Sequence, residues 1–152
     1  MYQLCNSPIE SVGGETVIKQ QWLLLQEQKR SIHPHQATLT DIIDAIKKKQ
    51  KEGHGIFIAL DGNEKFTQAK GGIVRLCHEC KLHDPFNHLH ETQCETKSHI
   101  RGTHRIDFYL CTYNLLKAVI LYGMTRFNDI VSSDHCGLYL DLQAEDISNP
   151  QN

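Results

Sequence analysis

A mixed α/β fold is what the sequence predicts, on three observations. Thr38 to Gln50 places Leu39, Ile42, Ile43 and Ile46 on one helical face. Ile56 to Leu60 is a short, unbroken apolar run, the pattern of a central strand covered on both faces. Arg105 to Cys111 and Gly137 to Leu142 alternate apolar and polar side chains with the period of two that a half-buried strand requires.

Taken in chain order, the first element is a helix over Glu15 to Arg30. It follows the breaker Gly13-Gly14 and spaces Ile18, Trp22 and Leu25 at helical intervals. After His33-Pro34-His35 comes the amphipathic helix, for which Thr38 is the expected N-cap, with Asp41 three residues on. Lys47, Lys48 and Lys49 fall in its last turn and Gly53 just beyond. Cations suit a helix C-terminus and glycine suits the residue after it, so a solvated helix end accounts for the lysines better than a phosphate-binding patch does. The apolar run then delivers Asp61-Gly62-Asn63-Glu64 at its C-terminal tip. Gly72 to Cys80 reads as a helix and is followed by a His-rich connection. In the next strand Ile106, Phe108 and Leu110 share one face, and Arg105, Asp107 and Tyr109 the other. The last strand sets Leu138, Leu140 and Leu142 on one face directly after Ser132-Ser133-Asp134-His135. Residues 1–145 are read as one domain and 146–152 as a frayed tail.

Bulk properties narrow the class. The chain has 152 residues, 39% of them hydrophobic and 22% charged, enough apolar material for one core. Its longest apolar runs, of about five residues, fall far short of the ~18 that a membrane span needs. Met1 to Pro8 has neither a basic nor an apolar leader segment, so an intracellular protein, nuclear or cytoplasmic, is expected. Cysteines 5, 77, 80, 94, 111 and 136 are irregularly spread, which favours free thiols over a disulfide framework. A net charge of −2 does not advertise a nucleic-acid surface, so such binding must rest on local patches such as Lys47, Lys48, Lys49 and Lys51 or Arg101, His104 and Arg105.

Asp61 with Asn63, Asp107, and Asp134 with His135 are the polar groups associated with the predicted strands. Phosphodiester hydrolysis needs an activated water, stabilisation of charge on the non-bridging oxygens and, usually, a divalent cation held by carboxylates. Each cluster alone is a weak signal. Together, Leu60-Asp61-Gly62-Asn63-Glu64, Arg105-Ile106-Asp107-Phe108-Tyr109-Leu110 and Ser133-Asp134-His135-Cys136 resemble three successive signatures of the endonuclease/exonuclease/phosphatase superfamily, the relatives of apurinic endonucleases and deoxyribonuclease I. Leu82-His83-Asp84-Pro85-Phe86 and Arg101-Gly102 are similar to the endonuclease domains of retroelement-derived proteins.

The resemblance implies a two-sheet α/β sandwich with mixed sheets packed face to face and helices outside, of which this chain is the C-terminal part. It implies that Asp61 orients or deprotonates the attacking water and that Asn63 hydrogen-bonds the phosphoryl oxygen. Asp107 pairs with His135 to favour the imidazolium, and Asp134 sits at or next to Mg²⁺ or Mn²⁺. Nucleic acid, DNA before RNA, is the implied partner. Tyr2 corresponds to a tyrosine of the family's early strands, so the Asn and the metal-ligating Glu that normally precede it are expected to be missing. Phe108 stands for the family's usual Tyr, and Gly137 for a common Pro.

Two alternatives accompany this reading. One is an inactive, truncated remnant that keeps some nucleic-acid or protein binding. The other is a zinc module built on Cys77, Cys80, His90 and Cys94, with His83 and His88 nearby. Its second pair lacks a standard spacing, which leaves the cysteines to pack as small hydrophobes and the histidines to lie on an exposed loop.

Overall fold

The computed structural model describes residues 16–66, 71–90, 96–130 and 132–144. It is a mixed α/β structure with two small antiparallel sheets. Helix α1, Val17–Glu27, packs on helix α2, Pro34–Lys51, through Ile18 and Leu25. Helix α2 starts four residues before Thr38. Its N-cap is His33, whose side chain accepts the His35 N–H at 3.2 Å, and Pro34 fills the first turn, where its missing N–H costs nothing. Thr38 is therefore interior, and Asp41 meets Arg30 at 3.5 Å instead of serving a capping box. At the C-terminus Lys48 and Lys49 occupy the last turn as expected, joined by Lys51, whereas Lys47 lies before it and pairs with Glu79 at 2.7 Å; Gly53 follows at φ 85°.

Strand β1, Phe57–Asp61, pairs antiparallel with β3, Asp107–Thr112, and β3 also pairs with the two-residue β2, Leu82–His83. Among the described residues β1 is thus an edge strand, and Phe57 and Ala59 are exposed, so the apolar run is not the central strand that its composition predicts. The central strand is β3. Phe108 and Leu110 have no exposure on one face, and Asp107 and Cys111 are buried on the other.

Helices α2 and α3, Gly72–Cys80, cover the first of those faces: Leu39, Ile43, Ile46, Ile73, Leu76 and Cys80 close over Leu60, Leu82, Phe108 and Leu110. Each large apolar side chain buried here contributes about 1.5–3 kcal/mol. The second sheet is a hairpin, β4 (Val119–Met124) with β5 (Leu138–Leu142). Tyr109 of β3 meets Tyr122 of β4 edge-on at 5.6 Å, and its hydroxyl donates to the Leu138 carbonyl at 3.1 Å. The layers are therefore helices, first sheet and hairpin. Short α4, Pro85–Leu89, and α5, Tyr113–Leu116, make the connections. Both sheets are antiparallel, where the resemblance implies mixed ones. Among the described residues no helix is long and apolar enough to cross a membrane.

Arg105, just before β3, and Asp84, just before α4, are buried as each other's charge partner, so Arg105 does not belong to the basic surface patch expected with Arg101 and His104. The Arg105 guanidinium forms a two-point ion pair with the Asp84 carboxylate and lies 4.6 Å from the rings of both Phe86 and Phe108. Asp84 also accepts the Phe86 N–H at 3.0 Å and so caps α4. This pair joins two stretches singled out in the sequence and fixes the chain two residues before Asp107.

Candidate active site

Antiparallel pairing sets Asp61, the last residue of β1, directly opposite Asp107, the first of β3. Beyond Asp61 the chain must turn at once. Gly62 N–H donates to the Ile106 carbonyl at 2.7 Å, and a Cβ on Gly62 would run into the Ile73 side chain. Asn63 adopts φ 50°, a left-handed conformation that asparagine tolerates, and its N–H donates to Asp61 Oδ1 at 3.1 Å. Asp61 is therefore held from its own turn.

His135 arrives from the β4–β5 connection. Thr125 and Gly137 pinch that loop at its base: the Thr125 N–H donates to the Gly137 carbonyl, and the Gly137 N–H to the Thr125 hydroxyl, both at 2.9 Å. The segment 98–100 then docks against 134–136, with Cys136 N–H donating to the Ser98 carbonyl and Ile100 N–H to the Asp134 carbonyl, both at 2.8 Å. The result is a single bridge between His99 and His135. Ser98 is fully buried, and its hydroxyl accepts the N–H groups of Ile106 at 2.8 Å and Asp107 at 3.1 Å. One short segment thereby ties the start of β3 to the loop that carries Asp134 and His135.

The central contact is His135 Nδ1 to Asp107 Oδ2, 2.9 Å. Burial works against the His135 cation, but the hydrogen bond and charge of Asp107, with smaller contributions from Asp61 and Asp134, outweigh it and hold the imidazole above its ordinary pKa. Asp61 is also shifted upward, chiefly by burial and further by the charge of Asp107, against the hydrogen bond from Asn63. Asp134 is held below the carboxylate range by its own backbone N–H and by His99, whose Nε2 lies 3.2 Å from Asp134 Oδ2. An open groove bordered by Asp61, Asp107, Tyr109, Cys136 and Leu138 runs across this surface.

The structure brings together Asp61, Asp107 and His135, whose ligand atoms lie within 4.8 Å of one another, and separately His99, Asp134 and His135. Asp134 belongs to the second group and is two-thirds exposed. Asn63 stands at the rim of the first, beside Asp61. Tyr2 lies outside the described residues, as does Cys94. Of the proposed zinc ligands, Cys80 is buried against Ile43, and Cys77 packs on the core with burial pushing its thiol up to about 12. His90 Nε2 sits 3.3 Å from the Tyr122 carbonyl, and His83 and His88 belong to β2 and α4. These residues form no metal-binding group among the described residues. Ser98 and His99 are the site residues that sequence reasoning missed; their only signal was a polar pair shortly before the Arg-Ile-Asp strand.

Chemically, the arrangement offers a carboxylate with raised proton affinity, an imidazole biased toward its cation and a buried carboxylate that fixes it. Asp61 and Asp107 concentrate negative charge on one edge, and carboxylate oxygens at this separation fit a hard divalent cation. Comparison with protein-family models and with curated proteins finds no match to this chain.

Proposed function

We propose that this chain is a divalent-metal-dependent phosphodiesterase of the endonuclease/exonuclease/phosphatase superfamily, a retroelement-type endonuclease that cuts nucleic acid, DNA before RNA. One observation carries the reading. Asp61, Asp107 and His135, drawn from three signatures far apart in the sequence, converge at one edge with Asp107 bonded to His135 at 2.9 Å. Helices outside a sheet that meets a second sheet through Tyr109 and Tyr122 support the sandwich architecture of that superfamily.

In this reading Asp61 takes the proton of the attacking water as its oxygen bonds to phosphorus and the ester oxygen departs. Its raised proton affinity suits a base. His135, kept cationic by Asp107, donates to a non-bridging oxygen, and the Asn63 amide donates to the same developing charge. Asp134, grouped with His99 and His135 and apart from Asp61 and Asp107, would hold Mg²⁺ or Mn²⁺, which supplies Lewis-acid stabilisation of the phosphoryl oxygens when bound. A second reading, binding without cleavage, is favoured by one feature: Asp134 faces His99 and does not share a ligand group with Asp61.

Purified chain incubated with supercoiled plasmid and Mg²⁺ separates the two. The enzyme reading expects nicking that EDTA stops and that His135→Ala lowers by about 10²-fold or more. Equal nicking by wild type and His135→Ala would assign the cleavage elsewhere. Plasmid retention without nicking would leave the binding reading in its place.

A further inference from the structure

His99 has no part in the hydrolytic step proposed above, yet it touches both Asp134 and His135. Its Nε2 lies 3.2 Å from Asp134 Oδ2. Its Nδ1 accepts the N–H of Arg101 at 3.2 Å, and its carbonyl accepts the N–H of Gly102 at 2.9 Å. Its ring stands edge-on to that of His135, 4.9 Å between centroids and 77° between planes.

Two roles are open to an imidazole in this place: a third metal ligand with Asp134 and His135, or a hydrogen-bond donor to Asp134. The Arg101 N–H decides between them. A backbone N–H can only donate, so Nδ1 presents a lone pair and, in the neutral ring, the proton sits on Nε2. An Nε2 that carries a proton aimed at a carboxylate has no lone pair for a cation. From this geometry we infer that His99 is a positioning residue: as the Nε2–H tautomer it donates to Asp134 Oδ2 and turns the other carboxylate oxygen toward a divalent cation, while its ring edge buttresses His135 against Asp107. Carboxylates that ligate metals are commonly fixed by such hydrogen bonds, and loss of the partner weakens metal binding by about 10–100-fold. The inference rests on the phosphodiesterase reading for the cation, though not for the hydrogen bond.

The variants follow from the two contacts. His99→Phe keeps a ring against His135 and removes the donor; His99→Gln keeps an N–H donor of similar reach. Long-range proton–nitrogen correlation spectra of the metal-free full chain at neutral pH should show His99 protonated on Nε2 alone. Protonation on Nδ1 alone would overturn the inference. Mn²⁺ binding, followed by the loss of the free-ion electron paramagnetic resonance signal, should weaken about 10-fold or more in His99→Phe and return close to wild type in His99→Gln. Equal affinity in wild type and His99→Phe would overturn it, as would a loss in His99→Gln as large as in His99→Phe. If the wild-type chain binds no Mn²⁺, the phosphodiesterase reading and the metal-directed role of His99 fall together, and the tautomer still decides whether His99 holds Asp134.

Discussion

Replacing Arg105 by methionine removes one half of a buried ion pair, together with the guanidinium that lies against the Phe86 and Phe108 rings, and keeps an unbranched apolar side chain in its place. The Asp84 side chain, 2% exposed, would be left with a single hydrogen bond, from the Phe86 N–H. Stranding a buried charge in this way costs about 3–5 kcal/mol, a large part of the roughly 5–15 kcal/mol that holds a domain of this size together. At about 2–4 °C per kcal/mol, thermal unfolding should shift down by roughly 6–20 °C. Replacing both partners, Asp84→Leu with Arg105→Met, should recover most of that loss because no lone charge remains, less about 1 kcal/mol for the lost α4 cap. Thermal and urea unfolding followed by circular dichroism supply the numbers. A fall below about 1 kcal/mol in Arg105→Met, or a double variant worse than the single one, would refute the assignment of Arg105 as the charge partner that anchors the start of β3.

Other outcomes follow from the same contacts. In Asp107→Asn the strongest partner that raises His135 is gone, while burial opposes the cation and only the weaker charges of Asp61 and Asp134 still favour it, so the imidazole should titrate lower than in wild type; nuclear magnetic resonance titration of His135 in the two proteins measures the direction, and an unchanged value would refute the pairing. Because His135 binds its proton more tightly when folded, its stabilisation is complete below the unfolded value of 6.5 and is lost as pH rises through the higher folded value. The difference in melting temperature between wild type and His135→Gln should shrink over that window. Gly62→Ala should destabilise by about 1–3 kcal/mol, because the new methyl meets Ile73 in the core and the Ile106 carbonyl at 3.2 Å; urea unfolding checks this, and a neutral result would mean that Ile73 moves aside freely.

Elements with sustained periodicity were legible in the sequence: α1, α2, α3, β1, β3 and β5 lie within a few residues of their expected spans. Strand β2 and helix α4 are too short to show a period, and β4 presents Ile120 and Leu121 to solvent side by side, so its pattern is neither alternating nor fully buried. The ranking of β1 and β3 was inverted for a physical reason. Charged Arg105 and Asp107 make β3 look half exposed, yet both are buried because Asp84 and His135 reach them from distant segments. Periodicity reports faces, not partners. The candidate site was legible as three polar clusters on strand ends. What joins them, Ser98 accepting from two backbone N–H groups and His99 bonding Asp134, depends on a loop docking that carries no repeating pattern.

The most direct measurement is the initial rate of plasmid nicking in Mg²⁺ by wild type and Asp61→Asn, side by side, with matching circular dichroism spectra. Asn keeps the shape of the side chain and an oxygen for the Asn63 N–H that closes the turn, and loses the proton acceptor and the weaker contact with the Asn63 amide. If Asp61, Asp107 and His135 form a phosphodiesterase centre, wild type nicks and the variant falls by about 10²-fold or more. Equal rates in the two proteins, or none in wild type, would contradict it.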